Sequence, residues 1–129
     1  MLALDLDEPT LALKAVLDAK PGAVGEAMNA PKGSKPLVLI YKVMGKMFAI
    51  LSVRGEEYVI LKSNLADVLR EQYAGIGHRS HLDRRFWISV NLDADVPAEA
   101  VQRLADASYD NVCTGLTRKQ KAELAALAG

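Results

Sequence analysis

The stretch LVLIYKVMGKMFAILSV, residues 37–53, decides the fold. Two runs rich in β-branched, aromatic and long apolar residues, LVLIYKV (37–43) and KMFAILSV (46–53), are parted only by Met44-Gly45. Such runs read as strands, and a glycine able to take positive φ between them reads as a hairpin turn. A two-residue loop sets Val43 opposite Lys46 and Lys42 opposite Met47, which puts Lys42 and Lys46 on opposite faces of the sheet. A loop one residue longer changes that register, and Met-Gly is a weaker turn signal than Asn-Gly, so both remain open at this level. A third run, EYVILK (57–62), follows Arg54-Gly55-Glu56 and extends the pattern to a three-stranded meander.

Upstream, DEPTLALKAVLDAKPG predicts a helix: Asp7 or Glu8 as cap, Pro9 in the first turn, and Leu13, Val16 and Leu17 on one stripe. Residues 21–36, with three prolines and three glycines, read as an irregular connection. Downstream, SNLADVLREQYAGIG predicts a helix capped by Asn64 and ended by Gly75 and Gly77. HRSHL (78–82) and RFWISVNL (85–92) read as strands. DVPAEAVQRLADASYDNVCTG carries Pro97 in a first turn and a stripe of Val101, Leu104, Ala105, Ser108 and Val112. Thr117 to Gln120 has capping-box spacing and opens a last helix. The order is α-β-β-β-α-β-β-α-α. It predicts one α+β domain over residues 1–129: a two-layer arrangement, an antiparallel sheet of about five strands with helices mainly on one side.

Half of the 129 residues are hydrophobic, and a single cysteine, Cys113, excludes an intramolecular disulfide framework and fits a reducing compartment. The acidic N-terminus is no secretory signal, and no long uncharged apolar run exists, so a cytoplasmic protein with no membrane span is expected. Sixteen basic and sixteen acidic residues cancel, but unevenly: residues 32–85 hold ten basic against five acidic. That middle region is where an anionic partner has an electrostatic reason to land.

Several chemistries fail on spacing. Gly45-Lys46 lacks the upstream glycine and the following Ser/Thr of a phosphate loop, and AGIGHRS lacks the third glycine of a dinucleotide fingerprint. His78, His81 and Asp83 offer no convincing third ligand on an extended segment, so no metal is expected. Cys113 reads as a small buried hydrophobe rather than a nucleophile. Glu56-Glu57 and Asp93/Asp95 read as solvated turn residues. No catalytic residue and no cofactor is assigned, and an enzyme ranks last. What remains is basic and aromatic. Lys42, Lys46, Lys62, Arg84 and Arg85 can contact phosphates, while Tyr41, His81, Trp87 and Tyr109 are candidates for stacking or for lining a pocket. The alternative is that Phe48 and Trp87 supply core and the cations keep a sheet edge soluble.

The ordered set YKVMGKMFAI, VILK (59–62), Leu69-Arg70, HLDRRFWISVNLD (81–93), Val96-Pro97, Ser108-Tyr109 and LTRK resembles the MmcQ/YjbR family of small bacterial proteins, from about residue 8 to residue 124. The resemblance implies a fold similar to that of secretion-chaperone-like α+β proteins. It also implies a protein commonly labelled DNA-binding through two protruding wings, with no settled reaction. The family's motif positions fall here on Lys42, Gly45, Lys46, Phe48, Lys62, His81, Arg85, Trp87, Ser108 and Tyr109. This chain departs from the pattern in AMNAPKGSK before the first strand, where an aromatic-Pro-aromatic-Gly stretch is usual. It departs again at Asp83 and Phe86, where asparagine and histidine are usual. The leading expectation is a monomeric, non-enzymatic DNA-binding protein. The second is a module that binds a small ligand or a protein partner on its sheet face.

Overall fold

The computed structural model describes residues 8–28, 38–52, 57–79, 82–92 and 94–128. Ten elements follow in order: α1 (Glu8–Ala19), β1 (Ala23–Met28), β2 (Val38–Val43), β3 (Lys46–Ser52), β4 (Tyr58–Lys62), α2 (Ala66–Gln72), β5 (Ile76–Gly77), β6 (Trp87–Asn91), α3 (Ala98–Thr114) and α4 (Arg118–Ala128). The strands form one antiparallel six-stranded sheet in the order β1-β2-β3-β4-β6-β5. The α+β architecture is as expected, with one strand more.

The extra strand is β1. AVGEAM lies inside the stretch read as irregular, and its alanines and glycine carry no β signal. It forms because the edge of β2 offers a full row of backbone partners, from Ala23 opposite Val43 to Met28 opposite Val38. Gly25 faces Tyr41, and a Cβ there would stand 3.0 Å from the Tyr41 ring, so the glycine is what lets the ring lie across β1. Residues 29–37 of the same connection, and the Arg54-Gly55-Glu56 turn, lie outside the described residues.

The decisive hairpin takes the shorter loop. Met44 and Gly45 have φ of 50° and 79°, the twist a type I′ turn requires, and Val43 pairs with Lys46. Nothing lies within 4 Å of a Cβ placed on Gly45. Gly45→Ala is therefore expected to act through backbone strain alone, at about 1 kcal/mol, read as a fall in thermal midpoint of about 4 °C.

Two boundaries differ from expectation. α2 starts from Leu65 with no side-chain cap, so Asn64 does not cap it; Ser63 Oγ instead accepts from Leu65 N at 3.0 Å. It ends at Gln72 because Tyr73 is extended, before either glycine. The Asp95 carboxylate then accepts from Ala74 N (2.9 Å) and Gly75 N (2.7 Å), which holds its pKa below the usual carboxylate range. A Cβ on Gly75 would meet Ala94 Cβ at 2.6 Å, so this close loop needs glycine. The short strand predicted at 78–82 is replaced by β5 at Ile76–Gly77, directly after that loop; Ser80 and His81 lie outside the described residues.

One face of the sheet makes the core. Tyr41, Val43, Ala49, Leu51, Val59, Leu61, Ile88 and Val90 alternate onto it and are all at most 1% exposed. Against them pack Leu13 and Leu17 of α1, Ala66 and Leu69 of α2, and Ala100, Val101, Ala105, Tyr109 and Val112 of α3, with Leu124 of α4 at the margin. α3 crosses β3 and β4, α1 lies against β1 and α3, and α2 lies against β5 and β6.

A β-bulge in β3 sets the core's centre. Tyr41 pairs with Ala49 but Lys42 pairs with Met47, so Phe48 is the extra residue. Its ring turns into the core, 5.3 Å from that of Tyr109 in an edge-on contact and 6.2 Å from that of Tyr41. The bulge leaves the ladder to β4 open at this end. Ser108, fully buried on α3, closes it: its hydroxyl accepts from Lys62 N at 2.9 Å and donates to Phe48 O at 2.6 Å.

Candidate nucleic-acid interface at one end of the sheet

Antiparallel neighbours bring the end of one strand beside the start of the next. β2 finishes with Lys42 and Val43, β3 starts at Lys46, β4 finishes at Lys62, and β6 starts at Trp87 after the turn carrying Arg84 and Arg85. The five predicted cations therefore all lie at one end of the sheet. They do not share a face. Lys42 pairs with Met47, and Lys62 pairs with Trp87, on the face away from the core, whereas Lys46 pairs with buried Val43 on the helix side and is exposed.

Two of the five are spent on neighbouring carboxylates. Lys42 Nζ stands 3.8 Å from Glu26 on β1. Arg85 grips Asp83 with two guanidinium bonds, 3.1 and 2.8 Å, and Asp83 also accepts from Arg85 N at 2.9 Å. Those side-chain bonds, then the backbone bond, hold the Asp83 pKa down at about 2 and raise that of Arg85. Asp83 stands where the family pattern has asparagine, and its physical effect here is to neutralise an arginine. Because its folded pKa lies below the unfolded value of about 3.9, the pair is complete at neutral pH and is lost as pH falls from about 4 to about 2. Among the described residues, Lys46, Lys62 and Arg84 have no ion pair.

The ring candidates divide by burial. Tyr41 is 1% exposed and donates its hydroxyl to Asp18 at 2.8 Å, with its pKa pushed up by burial and by that bond. Tyr109 is buried beneath α3, donates to Pro21 O and has its pKa raised to about 12, chiefly by burial. Neither can stack on a base. Trp87 is half-buried on the far face beside Lys62, and His81 lies outside the described residues. A pocket joining Lys46, Trp87 and Tyr109 does not form, because Trp87 and Tyr109 lie on opposite sides of the sheet.

Two contributors escaped the sequence. Phe86 is 41% exposed with the Arg85 guanidinium 5.3 Å over its ring, an exposed aromatic at the same end. Its position between Arg85 and Trp87 is the only sequence signal. Arg70 reaches from α2 to Trp87 O at 3.4 Å while pairing with Asp67, and so ties the start of β6 to α2. That bond joins residues far apart in the chain and leaves no local signature.

Among the described residues no three His, Cys, Asp or Glu side chains could share a metal ion. Burial raises the Cys113 pKa, which keeps it a thiol. His78 Nε2 lies 2.6 Å from Leu82 O and closes a local loop. Among the described residues no helix is long and apolar enough to cross a membrane.

Comparison with known proteins agrees with this geometry. The YjbR family model matches residues 18–111. The uncharacterized protein YjbR of Escherichia coli strain K12 is 31% identical over 106 residues, covering 80% of this chain and 86% of that one, and the O157:H7 protein matches equally. The crystal structure of Deinococcus radiodurans protein DR2400, which carries the DUF419 domain, superposes with a TM-score of 0.76 at 26% identity. That match covers 93% of this chain and 92% of that one. A Pseudomonas syringae protein shares the fold at a TM-score of 0.60 and 16% identity, over 82% and 98% of the two chains. With the family model covering most of the strands and α3, the chain belongs to the YjbR family.

Proposed function

We propose that this protein binds DNA without catalysis, in the cytoplasm, through the sheet end formed by β2, β3, β4 and the turn before β6. The observation that carries the reading is that Lys46, Lys62 and Arg84, unpaired among the described residues, lie at this one end on both sides of the sheet, with the exposed Phe86 ring at the same end. Phosphates supply a sequence-independent attraction to such cations, and rings offer stacking surface to bases. Binding of a labelled duplex at low and at moderate salt tests it. Affinity should fall steeply with salt, and no binding at micromolar protein in low salt removes the reading.

Asp83→Asn releases Arg85 as a further phosphate contact. It should tighten binding and steepen the dependence of log affinity on log salt by about 0.9. An unchanged slope would mean that Arg85 points away from the DNA.

A second reading, a protein-partner module, is favoured by the far face. Val24, 56% exposed, shares it with Ile40, Met47 and Ile50, apolar side chains set around the Lys42–Glu26 pair. Methyl NMR separates the two: DNA should shift resonances near Lys62 and Arg84, whereas a partner seated on these side chains shifts Val24, Ile40 and Ile50.

A further inference from the structure

A cleft of about 550 Å³ opens beside the basic end, between the β4–α2 link and the second half of α3. Lys62, Asn64 and Leu65 line one wall, and Asp110, Asn111 and Thr114 line the other. The size falls within the roughly 300–1,000 Å³ of small-ligand sites. Its wall is mostly apolar surface, edged by a few polar side chains. Among the described residues, the side chains of Asn64, Asp110 and Asn111 make no hydrogen bond within the protein, and Thr114 Oγ1 donates only to Asp110 O, at 2.9 Å. Donors and an acceptor thus edge the same space, exposed or half-buried and free of bonds to other side chains. Lys62 belongs both to this wall and, through its pairing with Trp87, to the far face.

We propose that the cleft seats one guanine nucleotide, with Lys62 on its phosphate and the two asparagines and Asp110 on the base. The carboxylate selects the base. Ionised, it only accepts, and it is satisfied best by two adjacent N–H donors. Guanine presents that pair on one edge, N1–H beside its exocyclic amine, with O6 next to them to accept from an asparagine amide. Adenine and cytosine set an acceptor nitrogen beside their amine, and thymine flanks its N–H with two carbonyl oxygens; each places a lone pair against the carboxylate. The 60%-exposed Leu65 supplies an apolar surface beside the base. A base held in a duplex cannot reach such a site without leaving its stack, so the nucleotide is free or belongs to a single strand. In its strand form this inference rests on the DNA reading above.

Fluorescence anisotropy with labelled thymidine oligomers carrying one central guanine or one central adenine tests the strand form, and calorimetry with 2′-deoxyguanosine 5′-monophosphate and with 2′-deoxyadenosine 5′-monophosphate tests the free form. The expected result is at least five-fold tighter binding of the guanine strand. Asn111→Leu and Asp110→Asn should each erase that preference with the salt dependence of binding kept, Asp110→Asn also binding every strand slightly better through its lost negative charge. Guanine monophosphate bound in preference to the adenine form, with no strand binding, supports the cleft in its free-nucleotide form and overturns the strand form. Salt-dependent DNA binding with no base preference in the parent protein overturns the cleft and leaves the DNA reading standing. Binding of neither strand nor mononucleotide overturns the cleft, and the duplex measurement alone then decides the DNA reading.

Discussion

Lys46→Gln, Lys62→Gln and Arg84→Gln combined should abolish most of the salt-dependent binding of duplex DNA. Each phosphate contact contributes about −0.9 to the slope of log affinity against log salt, so three contribute about −2.7. The parent protein should then lose affinity about 40-fold between 50 and 200 mM salt, and the triple variant should be nearly flat. Glutamine keeps much of each stem's packing while removing its charge. Lys46 and Arg84 are exposed and Lys62 is half-buried, so the fold should be retained, as a matching melting curve would verify. Lys42→Gln is the informative control. Lys42 already faces Glu26 at 3.8 Å, so its removal should change the slope less than that of any of the three. A triple variant that binds with the parent's affinity and slope would exclude this surface from DNA contact.

Ser108→Ala should lower stability by about 2–4 kcal/mol, the largest effect expected from removing one polar atom in this protein. The hydroxyl stands in for a missing rung of the sheet. It accepts from Lys62 N and donates to Phe48 O where the bulge has separated β3 from β4, at a position with no access to water. Alanine leaves a backbone donor and a backbone acceptor buried without partners, each costing about 1–3 kcal/mol less whatever the ladder recovers by relaxing. For a chain of this size the thermal midpoint should fall by about 10 °C. Urea unfolding should show a lower midpoint with an unchanged slope, since the buried surface is the same. A loss below about 0.5 kcal/mol would mean that β3 and β4 close on each other without the serine. The same variant should also disturb the DNA surface, because Ser108 holds the backbone from which Lys62 projects.

The basic end was partly legible. Lys42, Lys46, Lys62, Arg84 and Arg85 stand out as cations at strand termini, and antiparallel order alone carries all five to one end. Their state was not legible. Whether a lysine is available depends on which carboxylate lies across the sheet, and Glu26 sits on a strand that carries no β signal of its own. Asp83 is two residues from Arg85, so that neutralisation was within reach of the sequence; only the turn geometry that lets both guanidinium bonds form was missing. Tyr41 looked like a surface ring because it lies in a strand with one wet face, and the bulge partner Phe48 and the Asp18 carboxylate show which face it took.

The amino-acid sequence by itself determined the strand-forming runs, the turn at Met44-Gly45 and the main helices, because each rests on interactions between near neighbours: apolar periodicity, backbone freedom at glycine and proline at helix starts. Only the tertiary structure decided that AVGEAM becomes an edge strand, that Phe48 bulges into the core, that Ser108 completes the ladder between β3 and β4, and which cations stay unpaired. Each of these joins partners distant in the chain. Their free energy comes from unsatisfied backbone groups and charges that meet only after the sheet has formed, so no local pattern encodes them.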